Sequence, residues 1–132
     1  MDKDHLLSIL KENFKRERKG ETDSEVYFYW ILECIENSKD VINGIKRAIK
    51  EVLNYNYTGL NFLLSDGKRL YAFRYSIQSK KEYYSLWKLK RENKGVVLVC
   101  SEKLTEKEWK EINLGSLLII EPDLTMREIP IV

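Results

Sequence analysis

Leu60-Asn61-Phe62-Leu63-Leu64-Ser65-Asp66-Gly67-Lys68-Arg69-Leu70-Tyr71-Ala72-Phe73-Arg74 is the stretch on which the fold turns. Leu60, Phe62 and Leu64 recur every second residue, which puts them on one face of a strand. Asp66-Gly67 then marks a tight turn, because that pair tolerates the positive φ angles a hairpin needs. Arg69 to Tyr75 returns as a second strand, rich in aromatics at Tyr71, Phe73 and Tyr75. An antiparallel hairpin therefore sits near the middle of the chain.

Before this hairpin the apolar period is helical. Leu6, Leu7, Leu10 and Phe14 predict a first helix over about residues 3–17. Thr22 and Glu25 have capping-box spacing ahead of the apolar run Val26 to Ile35, which predicts a buried second helix. Asp40 is a good N-cap for a third, with Val41, Ile45, Ala48, Ile49 and Val52 as its apolar stripe. After the hairpin, Tyr83 to Trp87 reads as a short strand and Val96 to Cys100 as a fully buried one. Thr105 and Glu108 repeat the capping-box spacing and predict a short helix over Thr105 to Glu111. Leu117 to Glu121 and Leu124 to Ile129 form a last hairpin around Pro122-Asp123. Helices first and antiparallel strands after them imply an α+β fold. With no repeat, low-complexity stretch or linker, residues 1–132 are expected to form a single domain.

Composition narrows the function classes. An apolar fraction of 43% with 33% charged residues describes a globular chain rather than a disordered one. The 23 basic and 21 acidic residues nearly balance, which argues against a dedicated nucleic-acid binder. The basic stretch Lys11 to Lys19 is read as a solvated helix end. No apolar run approaches the roughly 20 residues that cross a bilayer, and the amino terminus lacks a signal-peptide core. A cytoplasmic location follows by default. Cys34 and Cys100 lack metal-ligand spacing, and with His5 as the only histidine neither a metal centre nor a serine triad is expected. No cofactor is implied.

Three segments, in this order, resemble the class II glutamine amidotransferases of the N-terminal-nucleophile hydrolase superfamily. They are Thr22-Asp23-Ser24-Glu25, the Leu60 to Arg74 stretch, and Val97-Leu98-Val99-Cys100-Ser101-Glu102-Lys103-Leu104-Thr105 followed by Trp109 and Leu114-Gly115-Ser116. Together they cover residues 20–121. The resemblance implies a partial αββα sandwich, helices packed on antiparallel sheet, corresponding to the carboxy-terminal part of the domain and lacking its first half. It also implies a thiol that attacks the glutamine amide, with the α-amino group of the same residue as base. Only a terminal cysteine has such an amine. Here Met1 is followed by Asp2, Cys34 and Cys100 are internal, and the family's arginine segment and Asn-Gly pair are missing. No catalytic residue is therefore expected in this chain, and the chain alone is expected to be inactive.

The residue that carries over is Asp23, which by resemblance accepts hydrogen bonds from the α-ammonium of glutamine. Its alternative role is to complement the dipole of the helix it opens. Asn61 is expected to position a neighbouring loop or simply to face solvent. Ser101-Glu102 is expected to bond across the sandwich or cap a strand end. Trp30, Trp87 and Trp109 are expected to anchor the core or an interface. Two functions remain open. One is a split or truncated amidotransferase that docks on a separate amino-terminal half, or self-associates into a homodimer. Its exposed apolar faces would include Tyr71, Phe73, Val97 and Val99. The alternative is a non-catalytic binding, regulatory or oligomerisation module that takes glutamine or another amine-bearing small molecule. Neither nucleic acid nor a membrane is expected as a partner.

Overall fold

The computed structural model describes residues 3–10 and 23–132. The chain divides into two compact units, Met1–Tyr57 and Thr58–Val132.

The described part of the first unit is helical. It contains α1 (Lys3–Ile9), α2 (Asp23–Glu36) and α3 (Val41–Val52). The expected continuation of α1 to residue 17 lies outside the described residues. Val26, Tyr27, Trp30, Ile31 and Cys34 are buried along α2, at the spacing that keeps one helical face inward. Ile45, Ala48, Ile49 and Val52 form the matching stripe of α3. Asp40 caps α3 as expected, its carboxylate accepting from the Asn43 backbone N–H at 2.8 Å. The two helices approach closely at Gly44, where a Cβ would overlap the backbone of Ile35. The Trp30 indole N–H closes the crossing by donating to the carbonyl of Ala48 at 3.2 Å. α1 packs against α2 and brings in the buried Leu6.

The second unit is built of antiparallel strands. One sheet has the order β1-β2-β6-β7 and the other β4-β3-β5. The strands are β1 (Phe62–Ser65), β2 (Leu70–Phe73), β3 (Trp87–Arg91), β4 (Val96–Cys100), β5 (Lys110–Glu111), β6 (Ser116–Ile120) and β7 (Met126–Pro130). The central hairpin forms where the sequence places it, with Ser65 opposite Leu70 and Gly67 at φ +92°. The Asp66 carboxylate ties the turn by accepting from the backbone N–H groups of Lys68 and Arg69. β6 is buried along its whole length because it lies between β2 and β7. Ala72, Leu118 and Ile120 point from the first sheet into a cluster with Leu86 and Ile112. Val97 and Val99 of β4 pack on the same cluster, so the two sheets share one core. Lys88 of β3 and Glu128 of β7 add an ion pair between the sheets at 3.1 Å.

Four expectations are corrected. Residues 81–84 form a turn rather than a strand, and β3 begins only at Trp87. No helix forms over Thr105 to Glu111, because the Thr105 hydroxyl accepts from the Trp109 indole N–H instead of capping the backbone. β4 is not fully buried: Val96 is exposed and the residues after it half-exposed, since this strand is at a sheet edge. Tyr71 and Phe73 are buried at 2% and 0% exposure, so they are not exposed apolar faces in this chain.

Candidate functional site

Asp23 is the first residue of α2 and its side chain is exposed. Thr22, the expected cap before it, lies outside the described residues. The position of Asp23 is set by the helix below it. Trp30 and Cys34 are packed, and Trp30 is bonded to α3, so the first turn carries the carboxylate on a rigid base. A carboxylate there can accept short, charge-assisted hydrogen bonds from an ammonium group.

Neither thiol offers matching chemistry. Cys34 lies on the inner side of α2 at 2% exposure, and burial pushes its thiol up to about 12. Its carbonyl is held by the Ser38 hydroxyl at 2.6 Å. Cys100 closes β4 and is half-buried. Both have peptide nitrogens on either side, so neither can serve as thiol and amine base together. Among the described residues, no group of three or more His, Cys, Asp or Glu side chains is placed to hold a metal ion. No helix of the described residues is long and apolar enough to cross a membrane.

The second unit gathers several of the residues singled out in the sequence. Asn61 does position a loop. Its amide donates to the carbonyl of Tyr84 at 2.8 Å, while its oxygen accepts from the Tyr75 N–H at 2.9 Å. Gly59 leaves room for this arrangement, since a Cβ there would overlap the Tyr84 ring. Asn61, Tyr84, Ser101 and Glu102 line one open cleft of about 540 Å³ with Glu82. Ser101-Glu102 thus follows the end of β4 and lines this cleft. Trp30 and Trp109 are buried, and Trp87 has the Lys103 ammonium 4.7 Å from its ring centre.

One residue escaped the sequence reading altogether. Arg74 is only 5% exposed, and its guanidinium donates to the carbonyls of Tyr84, Ile112 and Lys81 at 3.2, 2.6 and 2.8 Å. Glu111 neutralises it at 2.9 Å. The Arg74 side chain therefore takes up the carbonyls of the 81–84 turn and of the segment that follows β5. An arginine directly after three apolar strand residues was the available signal.

A model of the class-II glutamine amidotransferases matches residues 7–127. A solved structure from Silicibacter pomeroyi, described as a glutamine aminotransferase class-II domain protein, superposes with a TM-score of 0.80 at 29% identity. The match covers 97% of this chain and 60% of that one, so the chain spans about three-fifths of the length of that relative. No curated protein matches.

Proposed function

Because the chain belongs to the class-II glutamine amidotransferase family, we propose that it supplies the substrate-holding part of a glutamine amide hydrolase. In this reading the nucleophile lies outside residues 1–132, on a separate amino-terminal half. Asp23 holds the α-ammonium of glutamine, which fixes the position of the side-chain amide. The external thiol attacks the amide carbon, the C–N bond breaks, and ammonia leaves with a proton from the attacking residue's amine. Water then cleaves the thioester, returning glutamate and the free thiol.

The observation that carries this reading is the state of the two thiols. Cys34 is buried and held far from ionisation at neutral pH, and both cysteines are acylated at nitrogen within the chain. In a family built on nucleophilic acyl transfer, this leaves the chain to supply binding groups rather than the attacking thiol.

The test is reconstitution. The 132-residue chain is mixed with a polypeptide that begins, after loss of its initiator Met, with the family's cysteine and contains its arginine segment and Asn-Gly pair. Glutamate and ammonia are then measured. The mixture is expected to turn over glutamine while neither component does. Glutaminase activity of the pure 132-residue chain would overturn the reading. Glutamine binding by the chain with no turnover in any mixture would replace it with a non-catalytic binding module.

A further inference from the structure

Among the described residues, Tyr83 is the most exposed large apolar side chain, at 79%. Its ring meets that of Tyr84 edge-on, with centres 5.0 Å apart and planes at 77°. Both tyrosines line the cleft of about 540 Å³ that also holds Asn61, and every residue lining it belongs to the second unit. That volume suits a small molecule. The turn carrying the rings is fixed through its backbone. Arg74 takes the carbonyls of Lys81 and Tyr84, Asn61 also donates to that of Tyr84, and the Ser85 hydroxyl donates to that of Glu82 at 2.7 Å. The wall is thus set before a ligand arrives, which lowers the cost of binding.

The charge of the cleft has one sign. Glu82 lines it from the turn and Glu102 from the segment after β4, both exposed, and no basic side chain lines it. Among the described residues neither carboxylate makes an ion pair. Lys103, next to Glu102 in sequence, places its ammonium over the Trp87 ring instead. By contrast, the clefts around Lys68, Arg69 and Glu121 and around Lys90, Arg91 and Glu92 mix acids with bases. Two uncompensated carboxylates beside two ring faces favour a cation with an apolar stem. Carboxylates accept the N–H groups of an ammonium in charge-assisted hydrogen bonds, while ring faces attract its charge and cover its stem. An anion is repelled, and a neutral molecule gains only the rings.

We propose that this cleft binds a small organic ammonium ion, with Glu82 and Glu102 compensating its charge and Tyr83 and Tyr84 packing on its stem. The inference goes beyond the proposed function, which places the ammonium of glutamine at Asp23, and does not depend on it.

The test follows the backbone amide resonances of the isotopically labelled 132-residue chain at a constant ionic strength of about 50 mM, where screening is weak. Butylammonium is the probe, and butanol and butyrate are neutral and anionic counterparts of similar length. Butylammonium is expected to shift the amides of Tyr83, Tyr84, Ser101 and Glu102 with a dissociation constant on the order of 1 mM. Neither counterpart should do so at the same concentration. Glu82→Gln combined with Glu102→Gln is expected to weaken binding about tenfold, and Tyr83→Leu about threefold. Glu106→Gln, at an exposed acid outside the cleft lining, should leave binding unchanged. Circular dichroism checks that each variant keeps its fold. Absence of localised shifts overturns the proposal, as do equal shifts from butanol or undiminished binding by either cleft variant. So does a loss on Glu106→Gln as large as that of the double carboxamide, which would mark a general attraction to surface acids. Binding is read without glutamine turnover, so this idea and the reconstitution can each fail alone.

Discussion

Asp23 and Arg74 carry opposite charges, one exposed and one buried, and they differ in how they can be read. Asp23 sits in Thr22-Asp23-Ser24-Glu25, where the helix signal and the family segment coincide, so sequence alone marks it. Its carboxylate is exposed, which makes Asp23→Asn a clean probe. The amide keeps the size and an acceptor oxygen but loses the charge. A hydrogen bond to a charged group contributes about 1.5–3 kcal/mol, so KM for glutamine in the reconstituted pair is expected to rise about 10- to 100-fold. The melting temperature should barely move. An unchanged KM would mean that Asp23 only complements the helix dipole. Arg74 was not legible in the same way, since nothing local in Leu70-Tyr71-Ala72-Phe73-Arg74 says that three distant carbonyls will converge on its side chain. That information is tertiary.

At the scale of elements, periodicity worked where a segment's own pattern decides its state and failed where another segment's side chain does. α2, α3, the central hairpin and the β6–β7 hairpin appear where their apolar spacing puts them. The aromatic run Tyr83 to Trp87 does not become a strand as a whole, because Arg74 and Asn61 capture the Tyr84 carbonyl and Arg74 that of Lys81. β3 is harder to see, because Lys88 sits at an inward position and is tolerated only through Glu128. Two substitutions test these packing claims by chemical denaturation. Gly44→Ala forces a methyl into the α2–α3 crossing and should cost about 1–3 kcal/mol despite the better helix propensity of alanine. A stabilised variant would show that the helices can move apart freely. Arg74→Met leaves three carbonyls without their donor and is expected to cost about 3–5 kcal/mol. A loss below about 1 kcal/mol would mean that water replaces the guanidinium at little cost.

The whole chain should show an asymmetric dependence of stability on pH. On the acid side, Asp66 and Asp123 are held below the ordinary carboxylate range. The backbone N–H of Arg69 and then that of Lys68 depress Asp66, and the Thr125 hydroxyl and N–H depress Asp123. A group depressed on folding stabilises the protein above its unfolded pKa and loses that contribution as pH falls through the folded value. Both carboxylates are exposed, so this limb should be shallow. On the alkaline side, burial raises the Cys34 thiol to about 12 and lifts Tyr27 well above 10.0. Tyr71 is raised by burial and then by the Asp66 carboxylate, whose oxygen accepts its hydroxyl at 3.3 Å. These acids ionise more readily once unfolded. The unfolded chain therefore holds fewer protons above about pH 9, and stability falls as pH rises from there. Urea midpoints at about pH 4, 7 and 10.5 are expected to rank highest at 7 and lowest at 10.5. Cys34→Ala should flatten the decline between pH 9 and 12, because it removes one of the groups that drives it. A midpoint at pH 10.5 equal to that at pH 7 would mean that these buried acids reach water in the native state, and Cys34 would then have to be reconsidered as a reactive thiol.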